Sequence, residues 1–187
     1  MSENVLLRRA GRYQLVARMH KGAPTGVIRV GGDILKTVTG ADLDQVWEQL
    51  LQHLAALAQA DAKQRSGAAP TALEATAAFQ RLWPGLPTSY QAMLREHLRR
   101  PGHSITATQL ADAAKYRHYG AANLHYGLLG AMVNVEIPEI LPTRKDGSPI
   151  MTCSLAEGID AEQPDEGHWV WTMRPHIVAG LSAAGVL

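Results

Sequence analysis

The sequence predicts an α+β fold in two units, on three observations. Residues 13–39 alternate apolar and polar side chains between glycine-containing turns, and a helical repeat follows directly. A polar stretch containing Gly, Ala and Pro, residues 64–70, then interrupts the pattern. Beyond it come a specific helix-start signal, a tight turn, a second helix and an aromatic-rich strand. The 187 residues suffice for one domain or two small ones.

In the first unit, residues 1–65, Tyr13, Leu15, Ala17 and Met19 alternate with Gln14, Val16, Arg18 and His20, the pattern of a half-buried strand. Residues 21–26 read as a turn, after which Val27, Ile28 and Val30 resume a strand. Gly31-Gly32-Asp33 marks a second turn, and residues 34–39 form a β-branched third strand. Leu43, Val46, Trp47, Leu50, Leu51 and Leu54 follow helical spacing, opening near Ala41-Asp42. The expectation is a three-stranded antiparallel sheet covered by one helix, since so small a sheet must bury its apolar face.

The second unit, residues 71–187, begins with a helix over 72–83, stopped by Pro84-Gly85-Leu86-Pro87. Thr88 or Ser89 caps the next helix, which carries Tyr90, Met93, Leu94, His97 and Leu98 and ends at Pro101-Gly102. Thr106 and Gln109 form a capping box for a short helix with Leu110, Ala113 and Ala114 inward. After a turn at 116–118, a second helix places Ala121, Leu124, Leu128 and Met132 on its inner stripe and Asn123 and Tyr126 on its outer face. These two helices read as a helix-turn-helix. Residues 138–167 read as a long acidic loop with a turn tip at Arg144-Lys145-Asp146-Gly147. Strands at 150–154 and 168–173 make a hairpin wing, and Pro175 opens a last helix that Gly185 closes. The unit is expected to be winged-helix-like.

Composition narrows the function classes. Charged residues make up 19% and hydrophobic ones 46%, an ordinary globular balance. Cys153 is the one cysteine, so neither an internal disulfide nor a cysteine-based zinc cluster can form. No apolar run approaches the roughly 20 residues of a membrane span, and the start lacks a signal-peptide pattern, so a cytoplasmic protein without membrane contact is expected. The net charge of +1 hides a segmentation. Residues 1–40 hold seven Lys/Arg against two Asp/Glu, and residues 76–127 hold six against two. Residues 128–168 hold two against eight. Basic surfaces and an acidic loop are implied.

The helix-turn-helix carries the leading functional expectation, double-stranded DNA binding. A helix entering the major groove presents polar side chains at its N-terminal end. Arg117, His118, Asn123 and Tyr126 are the readout candidates; Asn pairs bidentately with adenine and Arg with guanine. Arg95, Arg99, Arg100 and Lys115 are the phosphate-contact candidates. The competing reading makes the motif a packing device, with His118 and Tyr119 capping the turn and Asn123 satisfying backbone groups.

The run TATQLADAAKY over 106–116 and YGAANLHYGLLG over 119–130 extends this reading. Preceded by Met93, Leu94 and His97 and followed by Trp171-Thr172-Met173-Arg174-Pro175, it resembles a little-characterised bacterial domain found with HNH-type restriction endonucleases. The resemblance covers about half the chain, from Ser89 onward. It implies DNA-related work in bacterial defence, such as recognising foreign or modified DNA. The chain departs from such enzymes in lacking a His-Asn-His constellation and a Cys-x-x-Cys knuckle, so the resemblance implies a recognition part.

Catalysis, cofactors and metals find little support. His97/His103 and His118/His125 lack the i, i+4 spacing of paired ligands on a helix. Cys153 has no local activation signature and reads as a small hydrophobe. Asp160, Glu162, Asp165 and Glu166 lack the order of a calcium loop. Glycines between 26 and 32 lack the strand-to-helix context of a phosphate loop. The alternative function is a protein-interaction or regulatory module, such as an inhibitor of a nucleic-acid-processing machine. Its partner would meet the N-terminal sheet, where Arg12, Arg18, Lys21 and Arg29 cluster, or the acidic loop 136–166. Edge protection by Lys and Arg is the simpler account of those strands. Trp169 and Trp171, on one strand face, suit either base stacking or the core.

Overall fold

The computed structural model describes residues 5–65, 67–159 and 169–186. The chain divides into two compact units, Met1–Ser66 and Gly67–Leu187.

The first unit is a four-stranded antiparallel meander with one helix. The strands are β1 (Leu6–Ala10), β2 (Tyr13–His20), β3 (Ala23–Val30) and β4 (Asp33–Thr39), paired in chain order. The expected three strands are therefore four. β1 escaped the alternation criterion because its Leu-Leu-Arg-Arg run is exposed on both faces and only Ala10 is buried. Each hairpin closes with two residues, pairing Ala10 with Tyr13, His20 with Ala23 and Val30 with Asp33. The turn expected over 21–26 thus contracts to Lys21-Gly22, and β3 starts earlier. Lys21 and Gly22 both have positive φ, 50° and 81°, the mirror-image turn whose twist suits a hairpin.

Helix α1 (Leu43–Gln64) begins where Asp42 caps it, accepting from the Gln45 amide at 2.7 Å. Its Val46 and Leu50 pack on Tyr13, Leu15, Ala17, Ile28 and Val38, a single buried face of the sheet. The closest approach is at Gly26. A Cβ there would lie 2.6 Å from Val46 Cγ1 and 2.9 Å from Leu50 Cδ1. Arg12 and Tyr13 both reach Asp61 near the helix end, at 2.7 and 2.8 Å, tying the first hairpin to α1.

The second unit combines helices with a small three-stranded sheet and a C-terminal helix. Helices α2 (Ala72–Leu82) and α3 (Thr88–Arg99) lead to a short strand β5 (Ser104–Thr106). Then come α4 (Ala107–Ala114), α5 (Tyr119–Glu136), β6 (Ala156–Ile159), β7 (Val170–Met173) and α6 (Pro175–Ala183). The strands form an antiparallel sheet in the order β5-β7-β6. Both capping boxes are complete, Thr71 with Glu74 and Thr106 with Gln109. Residues 104–106, of which the sequence marks only Thr106 as a helix cap, also pair with β7. The strand expected at 150–154 is instead a 3-10 turn, Met151–Ser154, and the strand follows it at β6. Neither Thr88 nor Ser89 caps α3: Pro87 occupies the cap position and no side chain bonds there. Of the expected strand 168–173, His168 lies outside the described residues.

The Gly26→Ala variant tests the close approach in the first unit. Overpacking against two branched side chains is expected to destabilise it by about 1–3 kcal/mol in denaturant unfolding. A stability equal to wild type would mean that α1 stands farther from the sheet than described here.

Candidate nucleic-acid interface

The position of α5 is set from within by one buried imidazole. His97, on α3, is fully buried. Its Nε2 lies 2.9 Å from the Trp171 carbonyl on β7, and its Nδ1 lies 2.5 Å from the Tyr126 hydroxyl on α5. A carbonyl oxygen can only accept, so Nε2 carries the proton and Nδ1 accepts from Tyr126. Both bonds are satisfied by the neutral ring. Burial lowers the His97 pKa to about 4 and pushes the Tyr126 hydroxyl upward.

This bond corrects the expected phase of α5. Its buried residues are Ala122, Tyr126, Leu129, Gly130 and Val133. Tyr126, expected outside as a readout residue, is 1% exposed and cannot touch a ligand at the surface. Leu124 and Leu128, expected inside, are 62% and 47% exposed. The sequence stripe failed because both faces of this helix are apolar.

The turn before α5 is built equally firmly. Lys115 adopts a left-handed conformation, φ 58° and ψ 35°. The Tyr116 amide bonds to Ala111 O at 2.8 Å and the Lys115 amide to Asp112 O at 3.2 Å, a Schellman closure of α4. The Tyr116 ring stacks on His125 at 4.9 Å, and its hydroxyl donates to Ser89 Oγ at 3.1 Å. His125 also meets the Tyr90 hydroxyl at 3.0 Å. His118 caps α5, its Nδ1 accepting from the Gly120 amide at 3.0 Å, and its ring packs on Tyr119. The capping role weighed against readout for His118 is therefore real, although the residue stays exposed.

The candidate residues accordingly separate. Lys115, Arg117, His118 and Asn123 lie exposed around the α4–α5 turn. Among the described residues, no hydrogen bond or ion pair engages the side chains of Lys115, Arg117 or Asn123. No Asp or Glu occurs between Ala113 and Val135. Arg99 is exposed at the end of α3. Arg95 donates to Val186 O at 2.9 Å and lies over the Trp83 ring, and Arg100 pairs with Glu96 at 2.8 Å. Arg95 and Arg100 are thus engaged within the unit.

The C-terminal half of α5 is flanked by the loop 137–155. A Cβ at Gly130 would lie 2.1 Å from Met151 O, so the loop backbone sits directly on the helix. Glu136, the last residue of α5, pairs with Arg81 of α2 at 2.7 Å, and Glu139 of the loop pairs with Arg174, just before α6, at 2.7 Å. Asp146 holds its own turn through Ser148, where the tip expected at 144–147 is found. Residues 160–168, the rest of the acidic stretch, lie outside the described residues. Trp169 and Trp171 stack on each other at 6.2 Å over Gly158 of β6, and Trp171 packs on the core while Trp169 is half exposed. Burial raises the Cys153 thiol pKa, which disfavours a nucleophilic thiolate. Among the described residues, no group of three or more His, Cys, Asp or Glu is placed to hold a metal, and no helix is long and apolar enough to cross a membrane.

No family model matches the chain, and neither a curated protein nor a solved structure matches it.

The buried His97 predicts an acid dependence. The unfolded chain takes up a proton near pH 6.5, whereas the folded unit resists until about pH 4. Its contribution is complete above about pH 6.5 and is lost as pH falls toward 4, by up to about 3 kcal/mol. Denaturant midpoints of wild type and His97→Gln at pH 7 and pH 4.5 check this. The variant is expected to be less stable at pH 7 and to lose less on acidification. Equal acid losses would place the sensitivity elsewhere.

Proposed function

We propose that the chain binds double-stranded DNA without acting on it chemically, with the α4–α5 turn and the first turns of α5 directed into the major groove. The observation that carries this reading is the exposed, acid-free turn holding Lys115, Arg117 and Asn123 with no internal partners, at the head of the second helix of a helix-turn-helix. Arg117 and Asn123 are of the types that read guanine and adenine edges, and Lys115 and Arg99 suit phosphates. The loop on α5 confines readout to the N-terminal half of that helix. The DNA-related resemblance of residues 89 onward agrees with this and adds foreign or modified DNA as the target class.

A second reading is favoured by one observation. Leu124, Leu128 and Val135 are exposed along α5, an apolar stripe suited to a protein partner. Charge mimicry by the loop is less well supported, since Glu136 and Glu139 are paired internally.

Lys115 separates a structural from a binding role. A left-handed lysine carries a conformational cost of order 1 kcal/mol that glycine avoids. Lys115→Gly is therefore expected to keep or raise the melting temperature. Fluorescence anisotropy with labelled duplexes, unmodified and cytosine-modified, is expected to show affinity reduced several-fold and the salt slope reduced by about 1. Arg117→Ala/Asn123→Ala is expected to lose more and to narrow the difference between duplexes. Unchanged affinity in both variants contradicts the reading. Wild type that binds no duplex in low salt would shift the function to the apolar stripe, to be examined with Leu124→Gln/Leu128→Gln.

A further inference from the structure

The sheet of the first unit has one face covered by α1 and one face open. The register assigns each residue to a face. Tyr13, Leu15, Ala17, Gly26, Ile28 and Val38 face the helix. The residues between them form the open face in cross-strand rows. Arg9, Gln14 and Arg29 make one row, on β1, β2 and β3. Leu7, Val16, Val27 and Thr37 make the next. Arg18, Thr25 and Thr39 make a third.

Charge and chemistry identify the occupant. Three arginines stand on this face, and none of its described residues is acidic. Among the described residues, the side chains of Arg9, Arg18 and Arg29 make no hydrogen bond or ion pair, and Arg29 Nε is buried without an acceptor. Edge protection accounts for cations on β1 and β4, which are the edges, but Arg18 and Arg29 lie on the central strands β2 and β3. Strands lie about 4.8 Å apart, so Gln14 and Arg29, paired across the central strands β2 and β3, present the width of the two-stranded ribbon that a B-DNA major groove admits, with Arg9 on the flanking strand. Arg and Gln are the side chains that pair with guanine and adenine edges, and an apolar row suits thymine methyl groups. The open face carries no Phe, Tyr or Trp among its described residues, since Tyr13 faces the helix, and His20 at the end of β2 is a single ring, so it lacks the succession of stacking platforms used for single strands.

We infer that the open β1–β4 face of the first unit is a second DNA-binding surface, one that seats its central strands in the major groove of duplex DNA with Arg9, Gln14, Arg18 and Arg29 as contacts. It is independent of the α5 reading and does not require it. An RNA duplex offers only a deep, narrow major groove, which excludes a sheet.

The test uses the full chain in three forms: wild type, Arg9→Gln/Arg18→Gln/Arg29→Gln, and Lys115→Gly/Arg117→Ala. Each is titrated against a pool of labelled DNA duplexes and against RNA duplexes of the same sequences, at two salt concentrations. Melting temperatures establish that each form is folded; the arginines leave no unpaired partner when removed. The triple variant is expected to lose tenfold or more in DNA affinity with a shallower salt dependence, and wild type is expected to bind RNA at least tenfold more weakly than DNA. That loss seen in the triple variant alone would sustain this surface and sink the α5 reading. A triple variant that binds DNA like wild type would overturn the inference, whatever the α5 variant does. So would displacement of the DNA by poly-glutamate as readily as by unlabelled duplex, which would assign the face to an acidic protein.

Discussion

The second unit depends on a neutral imidazole with two committed nitrogens. His97 joins α3 to β7 through one ring nitrogen and to α5 through the other. Three elements separated by 74 residues of chain between His97 and Trp171 are thereby held in one place. A buried polar group of this kind stabilises only when every bond is made, because an unpaired donor or acceptor in the core costs about 1–3 kcal/mol. The consequence is directional: Tyr126 must face inward, so α5 can have only one rotation. Asn123 and Leu124 then face outward, and the helix presents its N-terminal turns to solvent.

Close backbone approaches complete the positioning. Gly130 admits the loop 137–155 against one side of α5, and Gly180 admits α2, whose Ala75 Cβ would lie 2.5 Å from a Cβ placed there. Gly26 does the same between sheet and helix in the first unit. In the described part of the loop, Glu139 pairs with Arg174, and Asp146 accepts hydrogen bonds from Ser148 in its own turn. The cations of the α4–α5 turn and of the open sheet face are not neutralised in this way. Among the described residues, Glu136 and Glu139 are held in ion pairs, whereas Lys115, Arg117, Arg9, Arg18 and Arg29 are not.

The fold class and most elements were legible because their signals are local. The Thr106–Gln109 capping box, the proline stops, the Asp42 cap and the alternation of β2 each depend on a few neighbouring residues. Elements whose identity depends on a pairing partner rather than on their own pattern were not legible. β1 has no alternation and is a strand only because β2 pairs with it, and residues 104–106 form a strand only beside β7. The phase of α5 was misread for a physical reason: its exposed face is as apolar as its buried one, so periodicity carries no orientation. The signal that could have found it is the pair of polar groups, His97 and Tyr126, on two helices that must bury one face each. At the candidate interface, Lys115, Arg117 and Asn123 were legible as an acid-free turn. The engagement of Arg95 by the C-terminal Val186 carbonyl was not, since nothing in the local sequence marks it.

The most direct measurement is amide chemical-shift mapping of the labelled full chain titrated with a duplex pool. Within the second unit, shifts are expected to concentrate at residues 115–124, with none around the apolar C-terminal half of α5; within the first unit they are expected on the open sheet face at Arg9, Gln14, Arg18 and Arg29. A titration that moves Leu128 and Val135 while leaving Lys115, Arg117 and Asn123 unchanged, or that moves no resonance at saturating duplex, would contradict DNA binding through the helix-turn-helix.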